Sequence, residues 1–194
     1  MSAKLNLKMI QGSTFTKVFR WESSTKIYVP ITGITKAAPV VVTASNHGLT
    51  VGWRARITNV AGMKEINCDE GEYYLVTAKD TNTITFNAIN SLGYTAYTSG
   101  GVVEYNEPVS LAGKTARMQI RAKLASTTVI EELTTSDGDL ALDNTEHTIT
   151  IQLSATKTAG FTFTNAVYSL EIVNGTAVDQ ILTGNISLEK EITR

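Results

Sequence analysis

The sequence is short of the residues that cross-link, ligate and cleave. Cys68 is the only cysteine in 194 residues, so no disulfide forms within the chain and a reducing cytoplasm is the expected place of assembly. His47 and His147 are the only histidines, which leaves little material for general-base chemistry or for a nitrogen-rich metal site. Three prolines exclude a collagen-like chain and argue against disorder. No run approaches the ~20 apolar residues that span a bilayer, so no membrane partner is expected. The opening Met1-Ser2-Ala3-Lys4-Leu5-Asn6-Leu7 lacks an apolar core, so Sec-type export is not expected either. Basic charge is also scarce. Seventeen Lys and Arg meet 18 Asp and Glu, for a net charge of −1. Lys4, Lys8 and Lys17 are scattered rather than clustered. A nucleic-acid binder needs a basic excess to neutralise phosphates, and no nucleic-acid partner is expected.

What is present points to strands. Hydrophobic residues make up 42% and charged residues 18%, below the usual quarter or so of a globular chain. Thr, Val and Ile, whose branched side chains favour pleated surfaces, are frequent. Alternation is the dominant pattern. Ala116, Met118 and Ile120 alternate with Thr115, Arg117, Gln119 and Arg121; Ile149, Ile151 and Leu153 with Thr148, Thr150 and Gln152; Tyr168, Leu170 and Ile172 with Ser169 and Glu171. Each reads as a strand with one face on a core and one in water. A further strand is expected over 14–21, after Gly12-Ser13. Asn174-Gly175 predicts a hairpin with a type I′ turn, and Asp137-Gly138 another turn. The only helical signal is a single turn at 154–159. The pattern predicts an antiparallel β-sandwich.

A short echo bears on domain organisation. Val29-Pro30-Ile31-Thr32-Gly33 resembles Val109-Ser110-Leu111-Ala112-Gly113, and the chain between them has strands and turns of its own. Strands are expected there over 40–43, 54–60, 73–78, 83–87 and 102–105. About 70 residues can hold a small core, and surface turns tolerate insertion. The expected domains are a discontinuous base, 1–33 with 107–194, and an inserted small β-domain, 34–106. The terminal strands, 5–10 and 186–192, are expected to be sheet edges held by a partner subunit.

Two motif series carry a family resemblance. In the base they are Gln11-Gly12-Ser13-Thr14-Phe15, Phe19-Arg20-Trp21, Leu111-Ala112-Gly113-Lys114-Thr115-Ala116-Arg117-Met118-Gln119-Ile120-Arg121, Ile149-Thr150-Ile151-Gln152-Leu153-Ser154, Tyr168-Ser169-Leu170-Glu171-Ile172, Leu182-Thr183-Gly184-Asn185-Ile186 and the closing Ile192-Thr193-Arg194. In that order they resemble a family of small tailed-phage proteins related to the N-terminal immunoglobulin-like domain of baseplate proteins. In the insert, Val41-Val42-Thr43, Asn46-His47-Gly48-Leu49, Gly52, Ile57-Thr58-Asn59-Val60, Gly62-Met63, Ile66-Asn67, Tyr74-Leu75-Val76, Thr83-Ile84-Thr85-Phe86 and Ser99-Gly100-Gly101 form the second series. It is similar to a small β-domain that recurs in phage tail proteins and is labelled after a domain of ubiquitin-activating enzymes. That label implies no ubiquitin chemistry. The resemblance implies an immunoglobulin-like sandwich with a small barrel-like insert, in a virion protein assembled in the bacterial host cytoplasm.

No constellation of catalytic residues emerges, and no enzyme, cofactor or metal site is expected. His47 reads as a loop histidine bonded to local backbone. His147 reads as a solvent-facing residue at a strand start. Cys68 lacks a Cys–His signature, and Asp69 and Glu70 beside it would raise its thiol pKa. Asp137, Asp139, Asp143 and Glu146 crowd one stretch without the order of an EF-hand loop. Gly12-Ser13 and Gly100-Gly101 lack the following lysine of a phosphate-binding loop. Tyr94 and Tyr97 stack on a sugar, anchor an interface or cover the insert's own core. The expected function is assembly, as a tail, baseplate or fibre-attachment component contacting other virion proteins. The alternatives are a capsid decoration or head-to-tail connector protein, and a carbohydrate-binding module using those tyrosines.

Overall fold

A computed structural model describes residues 2–192; the closing Thr193-Arg194 of the first motif series lies outside them. In chain order the strands are β1 (Ala3–Lys4), β2 (Leu7–Ile10), β3 (Phe15–Arg20), β4 (Glu22–Pro30), β5 (Gly33–Ile34), β6 (Val40–Thr43), β7 (Arg54–Ala61), β8 (Tyr74–Leu75), β9 (Ala78–Lys79), β10 (Thr83–Phe86), β11 (Ser99–Pro108), β12 (Thr115–Arg121), β13 (Glu131–Thr134), β14 (Leu140–Asp143), β15 (Thr148–Leu153), β16 (Asn165–Asn174) and β17 (Ala177–Glu189). One α-helix, α1 (Ala155–Ala159), is capped by Ser154, whose hydroxyl accepts from the Lys157 amide. The protein is all-β, and no described helix is long and apolar enough to cross a membrane.

The chain divides into two compact units, Met1–Trp21 with Ser110–Arg194, and Glu22–Val109. The joins fall at Trp21/Glu22 and Val109/Ser110, where the echo had placed them at Gly33 and Glu107. The reason is pairing. β4 lies against β11, with Val29 opposite Val103 and Ile27 opposite Tyr105, so the strand before the echo belongs to the second unit. Only the later half of the echo stands at a join.

In the first unit, β1-β17-β16-β12-β13 form one sheet, with β2 also on β17, and β14-β15-β3 form the other. Their inner faces share one core containing Met118, Ile120, Leu170 and Ile172 from one sheet, and Ile149, Ile151, Leu153 and Leu140 from the other. This is the expected sandwich. Pairing is antiparallel, except that β1 and β2 run parallel to β17. β17 is therefore no edge. It lies between β16 and the N-terminal strands, and the two terminal segments hold each other. The Leu5 amide donates to Thr183 O at 2.8 Å, Gln11 to Glu189 O at 2.8 Å, and Lys8 pairs with Glu189 at 2.7 Å. Gly184 permits this crossing, because a Cβ there would collide with the Leu5 carbonyl. Tyr168 donates its hydroxyl to that same carbonyl at 2.9 Å.

The β16–β17 hairpin forms where expected, one residue out of register. Asn174 pairs with Ala177, so Gly175 and Thr176 fill the turn. Only Gly175, at φ 60°, has a positive φ. Positive φ at the first central position alone is the type II′ arrangement, not type I′.

The second unit has two four-stranded sheets, β5-β6-β10-β9 and β4-β11-β7-β8. They enclose a separate core with Trp53, Phe86, Met63 and Tyr105. The expected strand over 73–78 is split in two, since β8 pairs with β7 and β9 with β10. The Val76 amide between them donates to Trp53 O at 2.8 Å.

Candidate interaction surfaces

Most of the residues that looked chemical in the sequence are fastened into the framework. His47 is buried. Its Nδ1 accepts from the Leu49 amide at 3.0 Å, which leaves Nε2–H to donate to Asp80 O at 2.7 Å. The local backbone bond is as expected, and the second bond ties the turn to the β9–β10 connection. The Tyr105 hydroxyl donates to the His47 carbonyl beneath it. His147 is half-buried rather than solvent-facing, with a φ of 51° at the turn before β15.

Cys68 is buried, and its Sγ accepts from the Ile57 amide at 3.4 Å. Burial pushes its thiol pKa up. The expected direction holds, but loss of solvent is the leading cause, not the flanking carboxylates. Asn67 next to it donates to Val60 O and accepts from the Val60 amide, at 3.2 and 2.9 Å.

The acidic stretch is distributed among separate tasks. Asp143 accepts from the Thr145 and Glu146 amides at 2.7 and 2.9 Å, a turn-closing pattern. Asp137 accepts from the Thr134 hydroxyl at 2.8 Å. Asp139 is ion-paired with Lys157, whose Nζ lies 2.9 Å from Glu131. No group of three or more His, Cys, Asp and Glu among the described residues converges as metal ligands would. Tyr94 and Tyr97 pack against the second unit's core. Tyr97 donates its hydroxyl towards Ile31 O and Gly100 O, both at 3.0 Å. Both rings thus help cover that core while staying partly exposed.

The surfaces left open are the outer sheet faces. On β4-β11-β7 a buried Glu104 is flanked by Lys26 at 3.0 Å and Arg56 at 3.7 Å. Beside it Arg54 grips Glu22 through Nε and Nη2, the latter at 2.8 Å. The Arg54 guanidinium lies 4.8 Å from the Tyr73 ring centre, and the Lys26 ammonium 5.9 Å from it. The hydrogen bond to Glu104 raises the Lys26 pKa, and that to Glu22 raises the Arg54 pKa. Both remain cations at any physiological pH. Tyr28 and Leu75 stand exposed on the same face. Arginine and tyrosine around a network of oriented charges is the composition that anchors protein interfaces.

Sequence reasoning passed over this face, although its signal was there. Arg54 and Arg56 alternate with Ala55 and Ile57, and Lys26 and Tyr28 with Ile27 and Val29. The polar half of such an alternation faces water. What periodicity does not give is that β4 and β7 flank β11. That neighbourhood gathers the charges.

In the first unit the outer face of β1-β17-β16-β12 forms a groove of about 430 Å³. Its lining mixes polar side chains with apolar surface from Val167 and Tyr168, and Leu124 is 91% exposed.

No family model matches the chain, and no curated protein matches it.

Proposed function

We propose that the protein is a structural component of a tailed-phage particle, acting in the tail, baseplate or fibre attachment by binding other virion proteins. The observation that carries this is the division of the two motif series between the two units. The series resembling the baseplate immunoglobulin-like family lies in the first unit, on β3, β12, β15, β16 and β17 and their flanks. The series resembling the small tail-protein domain lies wholly in Glu22–Val109. A pattern arising by chance would have no reason to respect that boundary. The Arg54–Tyr73–Lys26–Glu104 face supplies a surface of the right composition for a protein neighbour. On this reading the protein does no catalysis, needs no cofactor, and is carried in the particle after assembly in the host cytoplasm.

The carbohydrate-binding alternative loses its motive, since Tyr94 and Tyr97 cover the core. Immunogold microscopy of particles released from the producing cells, with antibody raised against this chain, tests the proposal. Gold on the tail or baseplate is expected. Gold on the head would favour the decoration or connector role, and particles without gold would overturn a virion role altogether.

A further inference from the structure

The groove on the first unit has a pattern of charge that specifies a ligand. Three rows of side chains cross its floor. Gln119 lies opposite Ser169, Ser169 opposite Thr183, and Thr183 opposite Lys4. Arg121, Val167 and Asn185 make the next row, and Glu171 and Gln180 the third, with Arg117 opposite Glu171 outside the lining. The one carboxylate in the lining, Glu171, is already paired with Arg117 at 2.7 Å. The two lining cations carry no such compensation. Arg121 donates to Ser126 O and Gln119 Oε1, both at 2.7 Å and both uncharged acceptors. Lys4 makes no ion pair among the described residues. The lining therefore carries two cations without an ion-paired carboxylate, one at each end; Glu132 borders it beyond Gln119, from whose Nε2 it accepts at 3.0 Å. Three strand spacings and a two-residue offset separate the two cations, about 15 Å in all.

We propose that this groove binds an extended acidic segment of a partner protein, with two carboxylates spaced to reach Lys4 and Arg121 together. An extended chain advances ~3.4 Å per residue, so carboxylates about four residues apart match the span. Ser169, Thr183 and Asn185 between the cations offer hydrogen bonds to the backbone of such a segment. Leu124, almost wholly exposed at the rim, takes an apolar side chain beside the acidic ones. The lining has no exposed aromatic ring on which a sugar would stack, since Tyr168 is buried beneath the floor with its hydroxyl committed to Leu5 O. This site goes beyond the assembly reading and does not rest on it.

The test is fluorescence anisotropy with the full chain and a labelled synthetic peptide. The peptide carries two glutamates about four residues apart among Ser, Thr and Leu; its twin carries glutamines there. Salt-sensitive binding of the glutamate peptide is expected, with the twin weaker by about tenfold. Lys4→Gln with Arg121→Gln should erase that preference. Lys4→Gln and Leu124→Ser, each alone at an exposed position, should each weaken binding several-fold with the fold intact. Equal binding of the two peptides, or no effect of Lys4→Gln, would overturn the proposal. So would no binding at all. Tighter binding of a single-stranded oligonucleotide would replace it with a general polyanion surface. Salt-reversible self-association lost in the double variant would replace it with a second copy of this chain.

Discussion

The two units reach a closed core with different amounts of chain. The first draws on both ends of the sequence: Leu7 and Met9 pack in one cluster with Ile186 and Leu188, because β2 lies alongside β17. The second closes within Glu22–Val109, and its buried residues all come from that one segment. Long-range closure costs chain entropy before contacts reward it. The first unit therefore depends on its termini in a way that the second does not.

Removing the N-terminal strands should have the largest effect on the first unit. Deleting residues 2–10 takes Leu7 and Met9 out of the core and strips one side of β17. The first unit should lose its unfolding transition in urea while the second keeps its own. Met9→Ala is the point version. Met9 is 1% exposed, and truncation of such a residue costs about 2–5 kcal/mol, to be read as a lower midpoint in the first unit only.

Gly184→Ala should follow, at about 1–3 kcal/mol. The added methyl collides with the Leu5 carbonyl, so β1 should detach from β17. Hydrogen exchange at the Leu5 amide, bonded to Thr183 O, would report it.

The same logic tests the second unit through its charged face. Glu104→Ala leaves Lys26 and Arg56 without their shared carboxylate. A loss of about 2 kcal/mol is expected, confined to the second unit's transition.

How much of this was legible depends on sequence distance. The strands β12, β15 and β16 could be read from alternation alone, because their apolar positions recur every second residue and one face is buried. The parallel docking of β2 on β17 could not. Nothing in Leu7–Ile10 says that its partner is Ile186–Glu189; the expectation of a sheet edge holds for β2 and fails for β17. The first domain boundary failed similarly. β4 reads as a strand wherever it pairs, and only β11 assigns it to the second unit. His47 and Cys68 were legible as structural because catalytic partners were missing. Their burial and His47's bond to Asp80 O needed the fold. The groove and the charged face were half-visible, as the polar members of alternating strands whose order in the sheet only the structure supplies.

The smallest effect distinguishes the units by pH. Burial pushes Tyr168 in the first unit and Tyr74 in the second up to about 12, from a usual 10.0. The unfolded chain then loses these protons before the folded one does. Each contribution is complete below pH 10.0 and is lost as pH rises towards about 12. Tyr168→Phe should flatten the alkaline loss in the first unit's transition alone, and Tyr74→Phe in the second's alone. Cross-effects would mean that the units unfold as one.

Expression of Glu22–Val109 by itself tests whether the second unit is complete without the rest. The fragment should show a cooperative unfolding transition and an amide NMR spectrum that overlays the same residues in the full chain. A fragment with collapsed amide dispersion and no transition would contradict this, and would show that the two cores are one folding unit.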